Sequence, residues 1–298
     1  MVALQHVPPS EQIFKCYLPL RYFGYTLIDY FSARFPYFSP SQWELYIREE
    51  KITVNGEKVE PNLILKEHDY IVTRMGKRSE PAANRQLSVI FEDDHIRVFN
   101  KAAPIPVHPS GRFFKNSMTE ILKETYPTET PMPTQRLDAS TTGVLLFAKY
   151  KKAAAFFAEE FSKRKIYKEY LALVEGIPSK DHFSVNSSIG KIRGNKWGSG
   201  PEAKSPKEAK TDFFGIGSFD GKTILKVIPH TGRTNQIRIH LADSGFPIIN
   251  DPVYGNGTED PATQMGLHAH KMSFKYLNTQ YNFVAPPPVH FQTVGINF

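Results

Sequence analysis

The feature that most constrains the fold is a junction at residues 135–149, QRLDASTTGVLLFAK. Its second half, Val144-Leu145-Leu146-Phe147-Ala148, is an apolar run without alternation, closed by Gly143 and Lys149. Such a run fits a strand buried on both faces. Its first half is polar and carries Arg136 and Asp138. A buried strand fixes whatever the loop before it presents, so a loop bringing an Arg and an Asp to its lip is a place for chemistry. The plainer alternative for Arg136 and Asp138 is a surface salt bridge.

Two domains flank a polar stretch. Residues 1–20 contain prolines and no clear period, and an extended arm is expected there. Residues 21–75 are expected to form a small domain. Leu27, Ile28, Tyr30, Phe31 and Phe35 recur at helical spacing. Ser39-Pro40-Ser41-Gln42 is a helix start: Ser39 can cap, Pro40 suits the first helical position and Gln42 can close a capping box. Trp43, Tyr46 and Ile47 then form one apolar face and leave Arg48, Glu49 and Lys51 in water. Asn55-Gly56, within Ile52–Val59, predicts a hairpin, because both residues accept positive φ. Residues 76–86, GKRSEPAANRQ, read as a linker.

Residues 87–298 read as the second domain. Leu87–Lys101 is strand, turn, strand, with Asp93-Asp94 as turn residues rather than paired catalytic carboxylates. Helices are expected over 116–126 and 153–162, the latter turning Phe156, Phe157 and Phe161 to the core. Lys168 to Glu175 alternates as a strand and ends at Gly176. Residues 190–210 are Gly-rich and basic around Trp197; they are either a mobile hairpin loop or a grip on single-stranded RNA by charge and stacking.

The formal net charge is +7 and the pI about 9.2. That balance suits a polyanionic partner, since each phosphate neutralised by Lys or Arg releases counterions, but it does not name one. The single cysteine, Cys16, excludes an internal disulfide and a Cys-based zinc finger and suits a reducing compartment. No apolar run reaches the roughly 18 residues that span a bilayer. The first residues match neither a secretory signal nor an Arg-rich transit peptide, so a cytoplasmic location is expected, with no membrane partner.

Three separated motifs resemble the RluA-type pseudouridine synthases. The first is residues 135–149, where Gln135 and Thr142 stand in place of the family's His and Ser. The second is Lys168-Glu169-Tyr170-Leu171-Ala172-Leu173-Val174-Glu175-Gly176. The third is Thr231 to Leu241 followed by Gly245 to Gly255, with Asn235 and Asn250 replacing a His and a Gly. The opening hairpin with Val107-His108-Pro109 is also similar, although Ala102 replaces a Pro. The resemblance covers about residues 87 to 290. It implies an α+β fold with a mixed, mainly antiparallel sheet, flanking helices and a central cleft. It further implies isomerisation of uridine to pseudouridine in RNA with no metal and no cofactor.

Carried over residue by residue, the resemblance makes Asp138 the essential group and Arg238 the cation paired with it. Tyr170 becomes the active-site tyrosine, and Tyr167, outside the pattern, structural. Gln135, Arg136, Thr142, Arg233, Asn235 and Gln236 become substrate-binding residues, Arg136 filling the space that an extruded base leaves. Helix, helix and V-N-G hairpin in residues 21–75 resemble the alpha-L RNA-binding module, which points to Arg48, Lys51 and Lys58 as RNA contacts. The expected partner is structured RNA, ribosomal RNA being favoured over tRNA, and a monomer is expected. An inactive RNA-binding protein of the same fold is the alternative, on the strength of Gln135, Asn235 and Ala102. A glycosidase would need two acidic residues across a cleft, and no second Asp or Glu is expected beside the motifs. His268 and His270, with Asp251 upstream, could suggest a metal, but two His on one strand are not enough without a third placed ligand, and none is expected.

Overall fold

The computed structural model describes residues 4–194, 196–258, 260 and 263–292. Residues 1–3 of the expected arm, Asn195 in the Gly-rich stretch and residues 293–298 of the second domain lie outside them. The chain divides into one unit over Val7–Glu80 and a second made of the segment before it and the chain from Pro81 onward.

The smaller unit contains β1 (Ser10–Tyr17), α1 (Leu27–Arg34), α2 (Pro40–Arg48), β2 (Ile52–Val54), β3 (Glu57–Lys58) and β4 (Tyr70–Arg78). Its sheet runs β1-β4-β2-β3, all antiparallel. The α2 start is the one its sequence specifies: Ser39 and Gln42 close a capping box around Pro40. Asn55 and Gly56 turn the hairpin with φ of 54° and 89°. Trp43 and Ile47 of α2 pack with Tyr30 and Phe31 of α1 over Ile52, Val54 and Ile71.

The expected arm is corrected here. Residues 10–17 form a strand, because the backbone of β4 offers an unpaired edge and Cys16 joins the apolar core. The linker is corrected as well. Its first residues, to Arg78, continue β4, and residues 81–86 belong to the larger unit. Ala83 pairs with Gln5, Asn116 donates to the carbonyl of Pro81, and Arg85 donates to the carbonyl of Lys115.

The larger unit holds, in chain order, β5 (Leu87–Glu92), β6 (Ile96–Lys101), α3 (Met118–Thr125), β7 (Met132–Pro133), β8 (Thr142–Ala148) and α4 (Lys151–Ser162). Next come β9 (Tyr167–Glu175), β10 (His182–Asn186), β11 (Ile189–Arg193), β12 (Lys196–Gly198), β13 (Lys204–Lys207), β14 (Lys210–Phe219) and β15 (Lys222–Pro229). It ends with α5 (Gln236–Asp243), β16 (Leu267–Tyr276), β17 (Thr279–Val284) and α6 (Val289–Gln292). The main sheet runs β10-β14-β15-β9-β16-β8-β6-β5, with β17 beside β16 and β7 beside β8. Among the described residues, only the β16–β8 pair is parallel. The class is therefore α+β with a mainly antiparallel sheet.

The strand β8 is buried along its whole length. Val144, Leu146 and Ala148 pack with Ala153 and Phe157 of α4. Leu145 and Phe147 point to the opposite face, with Phe99 and with Met118, Ile121 and Leu122 of α3. That two-sided burial is why the run shows no alternation. Gly143 begins it at φ +108°, and a Cβ there would lie 2.1 Å from the carbonyl oxygen of Ala269, so β8 reaches β16 only through a glycine.

Within 190–210, for which a mobile hairpin loop and an RNA grip are the two expectations, the loop is corrected. Residues 189–207 form a second, three-stranded sheet, β12-β11-β13. Its apolar side, Ile189 with half-buried Trp197, packs on Ala209 and Ile239, which takes Trp197 out of the set of free stacking groups.

Candidate active site

Asp138 lies in the loop between β7 and β8, on the lip of the buried strand. Lys101, at the end of β6, fastens that loop from inside. The residue is 1% exposed, and its ammonium donates to the carbonyls of Ala102 (2.9 Å), Ala139 (3.1 Å) and Thr141 (2.6 Å). Burial lowers its pKa to about 7, and the charge of Asp138 acts in the opposite direction. Replacing Lys101 by Met keeps the stem and removes the donor from buried carbonyls, which should cost about 1–3 kcal/mol of unfolding free energy. A urea titration reads this; an unchanged midpoint would mean that the carbonyls find other donors.

Arg238 projects from the first turn of α5, a helix buried on all sides over Gln236–Leu241. Its guanidinium is divided between two carboxylates. Nε and Nη2 donate to both oxygens of Asp251, at 2.7 Å each, and Nη1 donates to Oδ2 of Asp138 at 2.7 Å. Asp251 is fully buried, and its Oδ1 also accepts the backbone N–H groups of Val253 and Tyr254. Burial opposes both charges of this pair, but mutual hydrogen bonding outweighs it, raising the Arg238 pKa and lowering that of Asp251. The fork geometry needs Arg: an ammonium could not grip one carboxylate with two nitrogens and still offer a third to another.

The Asp138 side chain is 36% exposed, and its other oxygen makes no hydrogen bond among the described residues. The site thus holds one carboxylate oxygen rigidly and leaves the other open.

A chain of hydrogen bonds supports Arg238 from the far side. Asn235, the αL residue before α5, accepts from Nη1 at 3.3 Å and donates to the Tyr254 hydroxyl at 3.1 Å. Tyr254 donates to the carbonyl of Trp197 in β12 at 2.9 Å, and its ring lies 5.1 Å from the guanidinium carbon. Tyr170 of β9 is half-buried against two apolar clusters. Burial, then the negative charge of Asp138, push its pKa up, so its phenol is neutral at ordinary pH.

Other residues expected at the site fall elsewhere. Thr142 is corrected from substrate contact to internal tie. It is buried and bonds Nδ1 of His268 at 2.8 Å, whose Nε2 meets the carbonyl of Ala285 at 3.0 Å. A carbonyl only accepts, so Nε2 carries the proton and the Thr142 hydroxyl donates. Gln236 is corrected likewise. It is buried and saturated by Thr231, Thr211, the backbone N–H of Arg233 and the carbonyl of Lys210. Both polar groups are spent inside the fold. Gln135 donates to the carbonyl of Val144 at 3.2 Å, and Arg233 to that of Glu208 at 3.0 Å. Arg136 is exposed, with no hydrogen bond or ion pair among the described residues. Tyr167 donates to Glu169 at 2.7 Å.

Arg48, Lys51 and Lys58 belong to the smaller unit, and each holds a carboxylate. Arg48 takes Glu44 at 2.7 Å, Lys51 takes Glu49 at 2.5 Å and Lys58 takes Glu50 at 2.6 Å. His268 and His270 both bond the carbonyl of Ala285, and no group of three His, Cys, Asp or Glu among the described residues is placed to hold a metal.

Lys101, Asp251 and Tyr254 are the members that motif reading missed. Asp251 and Tyr254 stand within the third motif, and Lys101 closes the opening hairpin. Asp251 also supplies a second carboxylate, contrary to the expectation of none. It is sealed behind Arg238 and cannot face Asp138 across a cleft.

The sequence profile described as RNA pseudouridylate synthase matches residues 95–243, half of the chain. The mitochondrial tRNA pseudouridine(32) synthase of Saccharomyces cerevisiae is 32% identical over 257 residues, 85% of this chain and 55% of that protein. Mouse pseudouridylate synthase RPUSD2 is 31% identical over 90% of this chain and 48% of its own. The chain thus spans about half the length of these relatives. An uncharacterized RNA pseudouridine synthase of Synechocystis is 30% identical over 88% of this chain and 94% of its own. The solved structure of Human RNA Pseudouridylate Synthase Domain Containing 1 superposes with a TM-score of 0.60 at 26% identity, covering 70% of this chain and 86% of the other. With its fold, its motifs and these matches in agreement, the chain belongs to the RNA pseudouridylate synthase family.

Proposed function

We propose that this protein isomerises specific uridines to pseudouridine in RNA, with Asp138 as the essential group. The observation that carries this reading is the divided hold on Asp138: one oxygen bound to Arg238, the other open at the lip of a buried strand. In the reaction the bond from uracil N1 to ribose C1′ breaks and a bond from C5 to C1′ forms. The proton on C5 leaves and N1 gains one, so no co-reactant is consumed. The open oxygen of Asp138 acts at the ribose, as nucleophile or as proton acceptor. Tyr170, a neutral phenol, stacks on the uracil and passes a proton rather than starting as the base. Arg136, exposed and in no ion pair among the described residues, fills the space left when the base is extruded.

The substrate grip fits the three-stranded sheet. Lys191, Arg193, Lys196, Lys204 and Lys207 are exposed there and in no salt bridge among the described residues. Lys191 stands opposite Lys204, and Arg193 opposite Lys196. Like charges directly opposed destabilise a sheet unless an anion joins them. We take tRNA as the substrate to test first, because the yeast relative's name specifies a tRNA position, and ribosomal RNA second. Location is proposed as cytoplasmic because the single cysteine suits a reducing compartment, and the working state as a monomer.

The test is to incubate the purified chain with tRNA and ribosomal RNA transcripts and map pseudouridine by carbodiimide adducts. Discrete converted uridines are expected. Binding of both RNAs with no conversion would identify the alternative, an inactive RNA-binding protein.

A further inference from the structure

The smaller unit has no surplus charge: residues 7–80 contain ten Lys and Arg against ten Asp and Glu, so the surplus of seven belongs to the rest of the chain. On the side of α2 and the hairpin, the three cations expected to meet RNA are each held by a glutamate, and Arg48 has Glu60 as a further neighbour at 3.6 Å. A phosphate there would have to displace a carboxylate at every contact.

The outer face of the sheet is different. Cys16 and Ile71, paired across β1 and β4, turn into the core. Strand alternation therefore points the neighbouring pairs outward: Ile13 with Arg74, Lys15 with Val72, and Tyr17 with Tyr70. Tyr17 is 68% exposed, and its ring lies 5.0 Å from that of Tyr70 at 52°. Lys15 and Arg74 are exposed and in no salt bridge among the described residues. Asp69, next to Tyr70, is buried and engaged by Asn55 and by the backbone N–H of Lys66; Glu49 and Glu50, beside the Lys51 carbonyl that accepts from the backbone N–H of Arg74, are held by Lys51 and Lys58; and Glu11 stands at the far end of β1. The strand β1 is the sheet's edge, open on one side.

We propose that this face is a stacking platform for unpaired bases, on which a single-stranded segment of RNA lies across β1 and β4. Bases rest on Tyr17 and Tyr70, and Lys15 and Arg74 take the phosphates. The inference rests on the reading that RNA is the partner, and it moves the smaller unit's contact from α2 to the sheet. Stacking suits a unit without net charge, because it is worth about 1–3 kcal/mol per base and does not draw on counterion release. A duplex keeps its base faces covered, so the ligand is single-stranded.

Binding is measured with the full chain carrying Asp138→Asn, so that no turnover intervenes, against a fluorescent 12-nucleotide oligouridine and a perfect RNA duplex. Tyr17→Ala should weaken oligouridine binding about 5- to 150-fold, the range that one lost stacking contact implies. It should leave duplex binding unchanged, and Tyr17→Phe and Arg48→Ala should each stay within about twofold of the parent. Tyr17 is exposed enough for the variant to fold, which circular dichroism checks. The proposal is overturned if Tyr17→Ala binds oligouridine like its parent, as it would on a surface made for a protein, or if Arg48→Ala carries the loss, or if duplex binding falls equally. Failure of the enzyme reading is separate: it would show as no converted uridine, whatever these affinities are.

Discussion

Asp138→Asn should fold, bind RNA like the unaltered protein and form no pseudouridine, with a rate loss of about four orders of magnitude or more, the scale for removing a group that acts on the reacting bond. Arg238 keeps both of its bonds to Asp251, so its charge stays compensated, and the amide oxygen of Asn can still accept from Nη1. The expected stability change is therefore small, within about 1 kcal/mol, since the lost partner is a partly exposed carboxylate. Single-turnover conversion and a parallel thermal melt separate the two quantities. Conversion within tenfold of the unaltered protein would remove Asp138 from the chemistry.

Asp251→Ala should do the reverse first: unfold the protein more easily, and lose activity as a consequence. It leaves Arg238, 9% exposed, with a single carboxylate, that of Asp138 at the rim. Breaking a buried pair from one side costs about 3–5 kcal/mol, because the remaining charge is stranded. Adding Arg238→Met to Asp251→Ala removes the stranded charge and should recover much of that stability while restoring no activity. This split marks Asp251 as a positioning residue for Arg238. The pH dependence follows from the pair. Burial pushes the Asp251 carboxyl upward, Arg238 more than offsets it, and the folded value lies below the ordinary 3.8. Its contribution is thus present above about pH 4 and is lost as the pH falls through the lower folded value. Melting curves of the unaltered and Asp251→Ala proteins should accordingly be far apart at pH 7 and approach each other below pH 4. Equal melting temperatures at pH 7 would refute the account.

What the amino acids announced, and what they hid, divides by range. The strand 144–148, the α2 cap and the Asn55-Gly56 turn are local, and each is visible in a few adjacent residues. The strand at 10–17 has no such mark, since what makes it a strand is the free edge of β4, some sixty residues on. The second sheet at 189–207 was hidden by its glycines, which read as a loop, although Gly190 lies where a Cβ would come 2.6 Å from the carbonyl oxygen of Lys204. Arg238 beside Asp138 followed from the family motif. Asp251 did not, because an acid before a proline looks like a turn residue until the buried guanidinium beside it is seen. Thr142 and Gln236 sit in the right motifs, yet nothing in a motif tells an inward hydroxyl or amide from an outward one. The glutamates that neutralise Arg48 and Lys51 are legible at positions 44 and 49, four and two residues before the cations they hold.

The order in which the sheet is laid down has its own consequence. The motif that brings Asp138 and the motif that brings Arg238 are both complete by Gly255, yet β16, at 267–276, lies between β8 and β9 in the middle of the sheet. Until that segment leaves the ribosome, Thr142 and Gly143, where β8 begins beneath Asp138, have no strand beside them on the side away from β6, which β7 covers only at Phe147 and Ala148, and Thr142 has no His268 to hold. A nascent chain can therefore display every signature residue and still be inert. Closing the gap means inserting a late strand between two early ones, a long-range step of the kind that slows folding.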